Sequence, residues 1–431
     1  MKLSTLLLFV LTMTSVTAQT APKNIIMVVG DGMGPEYVTA YRMYNDDAAT
    51  PQLEPTVFDS ILVGMASTTP AMSEGYVTDS AAGATALATG VKTYNGAIAV
   101  DVNKQPLLTV LEYAKQQGRK TGIAVTSQIN HATPAGFSTH NESRQNYNAI
   151  ADSYFDAKLH GQFRLDVMLG GGWKYFKRAD RDLVSQFQHA GYQYIDDMAQ
   201  LANVKAQQPL LGLFADAGLP WALDMPGHTR LAPLVKSAVK QLENKQGFFL
   251  LVEASQIDWG GHSNDVAASM GEMHDLALTL TWLKQYVDQH ADTLVVVTAD
   301  HSTGGFTIGA REQYQWAPQW LQNLSASPET LAKRLLDSSD KVTLAESVLG
   351  FSLNPQEKAQ LLEVSEKKQK AYYKVVTAIL DERSISGWTT HGHTGVDVPV
   401  FAFGEGSEQF RGQLDNTDIA KNIFKLMGKT D

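Results

Sequence analysis

Four apolar runs of strand length each close on a side chain able to hold a metal ion, and that pattern narrows the folds open to this chain more than any other feature. Residues 24–29 run into Gly30-Asp31-Gly32-Met33-Gly34-Pro35, and residues 122–126 lead to Asn130-His131-Ala132-Thr133-Pro134. Residues 247–252 finish on Glu253, and residues 294–299 on Asp300-His301. A run that is apolar at every position needs cover on both faces, as strands inside a parallel sheet have. Further strands are expected at residues 166–172 and 398–403. Helices are expected from Pro35 towards Arg42, at about 106–118, at 265–289 and at 230–245, where Leu231, Leu234, Val235, Ala238, Val239 and Leu242 recur at helical spacing. Strands alternating with helices predict an α/β fold with a central, mainly parallel sheet and helices on both faces. Such sheets bind ligands beyond the carboxyl ends of their strands, where Asp31 would stand. The glycines around Asp31 have the wrong spacing for a dinucleotide fingerprint.

The rest of the chain is less regular. Residues 51–75 read as irregular, 91–105 as a short hairpin, and 130–137 as a polar loop stopped by Pro134, with Arg144 on a helix beyond. Residues 178–205 alternate helical and loop character. Residues 306–390, which include Trp316 and Trp320, carry helical periodicity and no strand suited to a sheet core. They are expected to form a mostly helical insertion beside the site, within one catalytic domain spanning 19–431. Residues 1–18 have the layout of an export signal: Lys2, an apolar stretch at 6–11, then Val16-Thr17-Ala18. That stretch is too short to span a bilayer. The expectation is therefore an exported protein, periplasmic or secreted, with no stable membrane anchor.

The chain has no cysteine, which excludes disulfides and cysteine-held zinc. Any metal must be held by His, carboxylate or hydroxyl groups. A net charge of −10 argues against a nucleic-acid binder. A phosphate dianion can still bind an acidic protein if metal ions invert the local field.

Residues 76–90, Tyr-Val-Thr-Asp-Ser-Ala-Ala-Gly-Ala-Thr-Ala-Leu-Ala-Thr-Gly, carry almost only small side chains after Ser80. Such a run suits a helix whose backbone packs closely on its neighbours, with Ser80 at its start and Gly90 just past its end. Taken alone, Ser80 fits an ordinary N-cap. It also fits a nucleophile beside free N–H groups and the positive end of a helix dipole. Asp258 and His262 are spaced i, i+4 and share a face if that segment is helical, although Gly260-Gly261 could make it a turn. Alone the pair would read as a structural ion pair. Joined to Asp31, His131, Thr133, Glu253, Asp300 and His301, it points to divalent metal. Imidazole with carboxylate suits zinc, and carboxylate with hydroxyl suits magnesium.

Six motifs stand in order: Gly-Asp-Gly-Met-Gly at 30–34, Thr-Asp-Ser-Ala-Ala at 78–82, Ala-Thr-Pro at 132–134 with Arg144 eleven residues after Thr133, Glu253 with Asp258 and His262, Ala-Asp-His at 299–301, and His-Thr-Gly at 393–395. Together they resemble the alkaline phosphatase family over about 24–305 and 391–404. The resemblance implies hydrolysis of small phosphate monoesters at alkaline pH, with Ser80 as the nucleophile that takes the phosphoryl group. It implies one zinc held by Asp31, Asp300 and His301 and touching the Ser80 oxygen. A second zinc would use Asp258, His262 and His393, and a magnesium would use Asp31, Thr133 and Glu253. Arg144 would grip the phosphate, oriented by Asp79. A homodimer is usual in the family. The pattern best known from enteric bacteria has Asp where His131 stands and Lys where Trp259 stands. His131 is accordingly expected beside the third site, where it weakens magnesium preference and admits zinc, and Trp259 leaves phosphate more weakly held. His393 is preferred over His391 for the Thr-Gly that follows it. The alternatives are a phosphodiesterase or nucleotide pyrophosphatase of the same superfamily, which usually has a Thr nucleophile, and an exported phosphate- or metal-binding protein without turnover.

Overall fold

The computed structural model describes residues 21–365 and 368–430; the expected export signal at 1–18 lies outside the described residues. The strands are β1 (Asn24–Gly30), β2 (Leu62–Ser67), β3 (Lys120–Gln128), β4 (Val167–Gly171), β5 (Gln193–Ile195), β6 (Leu210–Leu213), β7 (Phe248–Ala254), β8 (Thr293–Thr298), β9 (Ser302–Thr303), β10 (Thr307–Ile308), β11 (Ser386–Gly387), β12 (His393–Thr394), β13 (Val398–Gly404) and β14 (Gly412–Asp415). Ten of them form one sheet in the order β14-β2-β13-β8-β1-β7-β3-β4-β6-β5. Within it only β13 runs against its neighbours β8 and β2. Every residue of β1, β7 and β8 is buried, as their unbroken apolar sequences require.

The helices are α1 (Pro35–Tyr44), α2 (Ser80–Thr89), α3 (Val110–Gln116), α4 (Ala132–Ser138), α5 (Tyr147–Asp156), α6 (Trp173–Phe176), α7 (Leu183–His189), α8 (Leu231–Leu242), α9 (Gln256–His262), α10 (Val266–Gln289), α11 (Pro328–Asp337), α12 (Lys341–Leu349), α13 (Pro355–Leu362), α14 (Gln369–Ser384) and α15 (Asn416–Leu426). They cover the sheet in two groups: α1, α8 and α10 pack together, as do α2, α3, α4 and α15. The expected apolar stripe of α8, from Leu231 to Leu242, is buried. Fully burying one such Leu or Val contributes roughly 1.5–3 kcal/mol.

Four local expectations need correction. Residues 51–75 contain β2, an inner strand of the sheet. Its sequence gives little sign of this, because Leu62 is exposed and Gly64 must stay small: a Cβ there would come within 2.1 Å of the Gly412 carbonyl oxygen. Residues 132–138 are helical, not a loop. Pro134 stands in the first turn of α4, where a missing N–H leaves no helical bond unmade. Arg144 is not on a helix but in the turn before α5. Residues 91–105 form no paired strands; the expected hairpin is reduced to one antiparallel bridge, Val100 to Pro106, around the turn at 101–105, and Ile98 bridges to Asn141 instead.

Residues 306–390 contribute α11 to α14 and none of the ten large-sheet strands. Helix α14 is fastened to the distant Asp265 and to Trp388, just past its own end. The Tyr373 hydroxyl donates to Asp265 at 2.8 Å, and the Trp388 indole N–H donates to Asp381 at 3.0 Å. Burial pushes the Asp381 carboxyl up to about 7. Its folded-state pKa is raised, so it costs nothing below the unfolded value and destabilises as pH climbs from about 4 to about 7. Asp381→Asn keeps the acceptor for Trp388 and removes the charge. The variant should gain up to about 4 kcal/mol at pH 9 and nothing below pH ~4, as read from chemical denaturation at the two pH values.

Candidate active site and metal centre

Neighbouring strands β8, β1, β7 and β3 run parallel, so their carboxyl ends reach one edge together. Glu253 on β7 is level with Val29 on β1 and Val125 on β3. Asp31 directly follows β1 and Asp300 lies two residues beyond β8, at the same edge. His131 caps α4 after β3, and Thr133 follows in its first turn beside Glu253. The 256–262 segment is the helix α9, so Asp258 and His262 do share a face, and His262 Nε2 stands 3.4 Å from Asp258. β12 returns along β9 and brings His393 to 3.2 Å from His262. His391 is exposed; its backbone carbonyl accepts from His262 Nδ1, and its own Nδ1 donates to the His262 carbonyl at 3.0 Å, so its ring turns to backbone and not into a trio.

Ser80 is the first residue of α2, and Asp79 is the cap, accepting from the Ala82 amide at 2.9 Å. The helix ends at Gly90 in the left-handed region. Small side chains let α2 press on the site: a Cβ on Gly83 would meet Asp300 at 3.0 Å. Gly32 has a positive φ, and a Cβ there would lie 2.7 Å from the Asp258 backbone, so the loop after β1 packs directly on α9. Buried Ser80 Oγ is 3.2 Å from His301 Nε2. Arg144 donates to Asp79 at 3.0 Å, which leaves the rest of its fork facing the site. Asp79 is held in turn by the Gly96 amide at 3.0 Å, and its own N–H donates to Asn95.

Three trios of side chains have ligand atoms within 4.8 Å of one another: Asp258, His262 and His393; Asp31, Asp258 and His301; Asp31, His131 and Glu253. Asp300 joins the middle group, 3.4 Å from His301. The hydrogen bonds show what this cluster accepts. Backbone carbonyls of His391 and Thr78 take the Nδ1 protons of His262 and His393. The Thr303 hydroxyl donates to Asp258, so His301 Nδ1 must donate to Thr303. All three rings therefore turn an Nε2 lone pair inward. Both oxygens of Asp31, Asp300 Oδ2, Glu253 Oε1 and His131 Nδ1 are buried without a hydrogen-bond partner. Burial pushes the Asp31 and Asp300 carboxyls well up, and nearby carboxylates add to this. Glu253 rises to about 7 for the same first reason. Burial likewise drives His131 down to about 3, helped by Arg144, and His301 well below its ordinary value. Lone pairs and carboxyl oxygens packed this closely, with no protein donor turned towards them, fit divalent cations.

Trp259 sits edge-on to His131, with ring centres 6.1 Å apart. His131 Nε2 is 3.4 Å from Arg144. Sequence reading missed the supporting shell. Thr303 orients His301 and Asp258, and its position two residues past His301 was the available signal. Ser255 and Ser127 hold the second oxygen of Glu253 at 2.6 and 3.2 Å. The Thr78 and His391 carbonyls had no side-chain signal at all.

The profile of the alkaline phosphatase family matches residues 22–428. Alkaline phosphatase 3 of Bacillus subtilis is 46% identical over 411 residues, covering 94% of this chain and 89% of that one. The cold-active alkaline phosphatase of a psychrophilic Shewanella superposes with a TM-score of 0.90 at 50% identity, over 94% of this chain and 100% of that one. That of the Antarctic bacterium TAB5 is 26% identical with a TM-score of 0.70, over 96% of this chain and 100% of that one. A TAB5 form with a histidine replaced by aspartate has magnesium bound in its M3 site. With a serine at a helix start, an arginine held beside it and metal-ready trios at one sheet edge, and with these likenesses along nearly its whole length, the chain belongs to the alkaline phosphatase family and is a metal-dependent phosphatase of phosphate monoesters.

Proposed function

We propose that the chain releases inorganic phosphate from monoesters at alkaline pH through a phosphoserine on Ser80. The observation that carries this reading is the convergence of Ser80, Arg144 and the three trios on one sheet edge. Ser80 attacks phosphorus from the first turn of α2, whose backbone N–H groups and dipole favour negative charge there, while the ester P–O bond breaks and its oxygen leaves as the alcohol. Arg144 grips two phosphate oxygens as a fork, and Asp79 fixes the plane of that fork. Water then cleaves the phosphoserine. Zinc would be held by Asp31, Asp300 and His301 and by Asp258, His262 and His393, and magnesium by Asp31, Thr133 and Glu253. When bound, such ions supply Lewis-acid stabilisation of the oxygens entering and leaving phosphorus. Residues 19–431 act as one catalytic domain with 306–390 inserted beside the site, exported under the direction of 1–18. Among the described residues no helix is long and apolar enough to cross a membrane. The homodimer is an expectation of the family, and sedimentation tests it.

The deciding experiment compares an aryl phosphate monoester with a bis-aryl diester from pH 6 to 10. Monoester turnover that rises to alkaline pH and exceeds diester turnover by more than ~10²-fold supports the proposal. Equal or faster diester cleavage would establish the phosphodiesterase alternative, and bound zinc with no turnover the binding protein.

His131 sets the character of the third site. Its trio with Asp31 and Glu253 lets the ring act as a ligand, and imidazole favours zinc over magnesium. We take the TAB5 exchange of histidine for aspartate as the counterpart. His131→Asp should raise magnesium affinity by about 10–100-fold, read by magnesium titration of the chelated, zinc-reloaded protein. Unchanged affinity would remove His131 from this role.

A further inference from the structure

Beyond the phosphoryl site, a groove runs along the outer side of α9. Its larger part, about 550 Å³, lies past the carboxyl ends of β4 and β6 and is walled by Trp173, Phe214, Trp221 and Trp259. A second part, about 380 Å³, shares Trp221, Glu329 and Gln369 with the first and reaches Ser263. Trp259 directly follows Asp258, and Ser263 directly follows His262. The groove thus flanks the helix that carries two ligands of one trio, and its wall residue Trp259 packs edge-on against His131, which stands 3.4 Å from Arg144.

We infer that this groove receives the leaving group of the substrate and selects flat aromatic groups that are neutral or cationic; the inference rests on the phosphatase reading above. The walls supply the aromatic preference. Gly218 is the loop position that admits the Trp259 ring, since a Cβ there would come within 2.2 Å of it. Trp221 is fixed by its indole N–H, which donates to Glu329 at 2.5 Å, so a rigid face is presented. The charge preference follows from the lining: across both parts Asp216, Asp224 and Glu329 outnumber Lys333 and Lys370. Helices α11 and α14 provide Glu329, Lys333 and Gln369, which gives residues 306–390 a part in choosing the substrate.

The test uses non-hydrolysable phosphonates as competitive inhibitors of the metal-loaded enzyme. Phenylphosphonate should bind about tenfold tighter than methylphosphonate to the wild type. Trp221→Ala should bring the two to within about twofold, while Trp221→Phe should keep most of the difference. A para-aminomethyl phenylphosphonate should outbind its para-carboxy analogue, and Glu329→Gln should narrow that gap several-fold. Thermal midpoints report folding, and if Trp221→Ala does not fold, the Phe and Gln variants decide. Ratios that stay constant across the variants would overturn the groove assignment, as would variants that change only subunit association. A wild type that hydrolyses no monoester would instead overturn the phosphatase reading beneath it.

Discussion

Ser80→Ala should lower kcat on an aryl phosphate by at least ~10³-fold while the protein stays folded. The local structure separates the two effects. Asp79, not Ser80, caps α2, and the rest of the helix is held by Ala, Gly and Thr packing that the substitution leaves alone. The lost hydroxyl makes one side-chain contact, to His301. No cavity larger than an oxygen atom is created, so the thermal midpoint should move little. Metal content should largely persist, because each trio keeps all three of its His and carboxylate groups. Acid quenching of the wild type during turnover of a labelled monoester should trap phosphate on the peptide containing Ser80, and the variant should trap none. Full turnover in Ser80→Ala would mean that water attacks the ester directly.

Asp31→Asn should remove more metal than a change at Glu253 or His393. Asp31 belongs to two of the three trios, as Asp258 does, whereas Glu253 and His393 each belong to one. Elemental analysis after gel filtration should find about two ions fewer per chain, with activity down by more than ~10³-fold. Glu253→Gln should lose only one ion. Stability should change in the opposite direction once metal is gone. In the chelated wild type, Asp31 is a buried carboxyl with no hydrogen-bond partner, close to Asp300, Asp258 and Glu253. Without cations these groups repel, so the chelated variant should melt higher than the chelated wild type, although the metal-loaded variant melts lower. Retention of every ion in Asp31→Asn would show that the trios do not share this carboxylate.

The strands that build the site were readable because a strand buried on both faces has nowhere to hide a polar residue. Polar side chains at the ends of β1, β3, β7 and β8 therefore stood out as functional. The order of those strands was not readable, and β1 and β7 are neighbours although more than two hundred residues separate them. Elements with a weak apolar signal were lost: β2 has one fully buried residue, and Pro134 concealed α4. Side-chain ligands could be named from the sequence, yet the carbonyls of Thr78 and His391 that select the tautomers of His393 and His262 could not. A backbone carbonyl has the same chemistry at every residue, and only the fold selects which one is used.

One consequence follows from how far apart the ligands lie in the chain. Asp31, Asp258 and His301 meet in one trio, and Asp258 and His262 meet His393 in another. A metal ion there would tie chain segments separated by hundreds of residues, as a disulfide does, in a molecule that has no cysteine. Closing loops of that length restrains the unfolded chain by several kcal/mol in the chain-entropy picture, on the order of 5 kcal/mol for ~100 residues. The catalytic ions would then double as removable staples. Chelation would be to this protein what a reducing agent is to a cystine-rich one, and protease resistance would come and go with the metal.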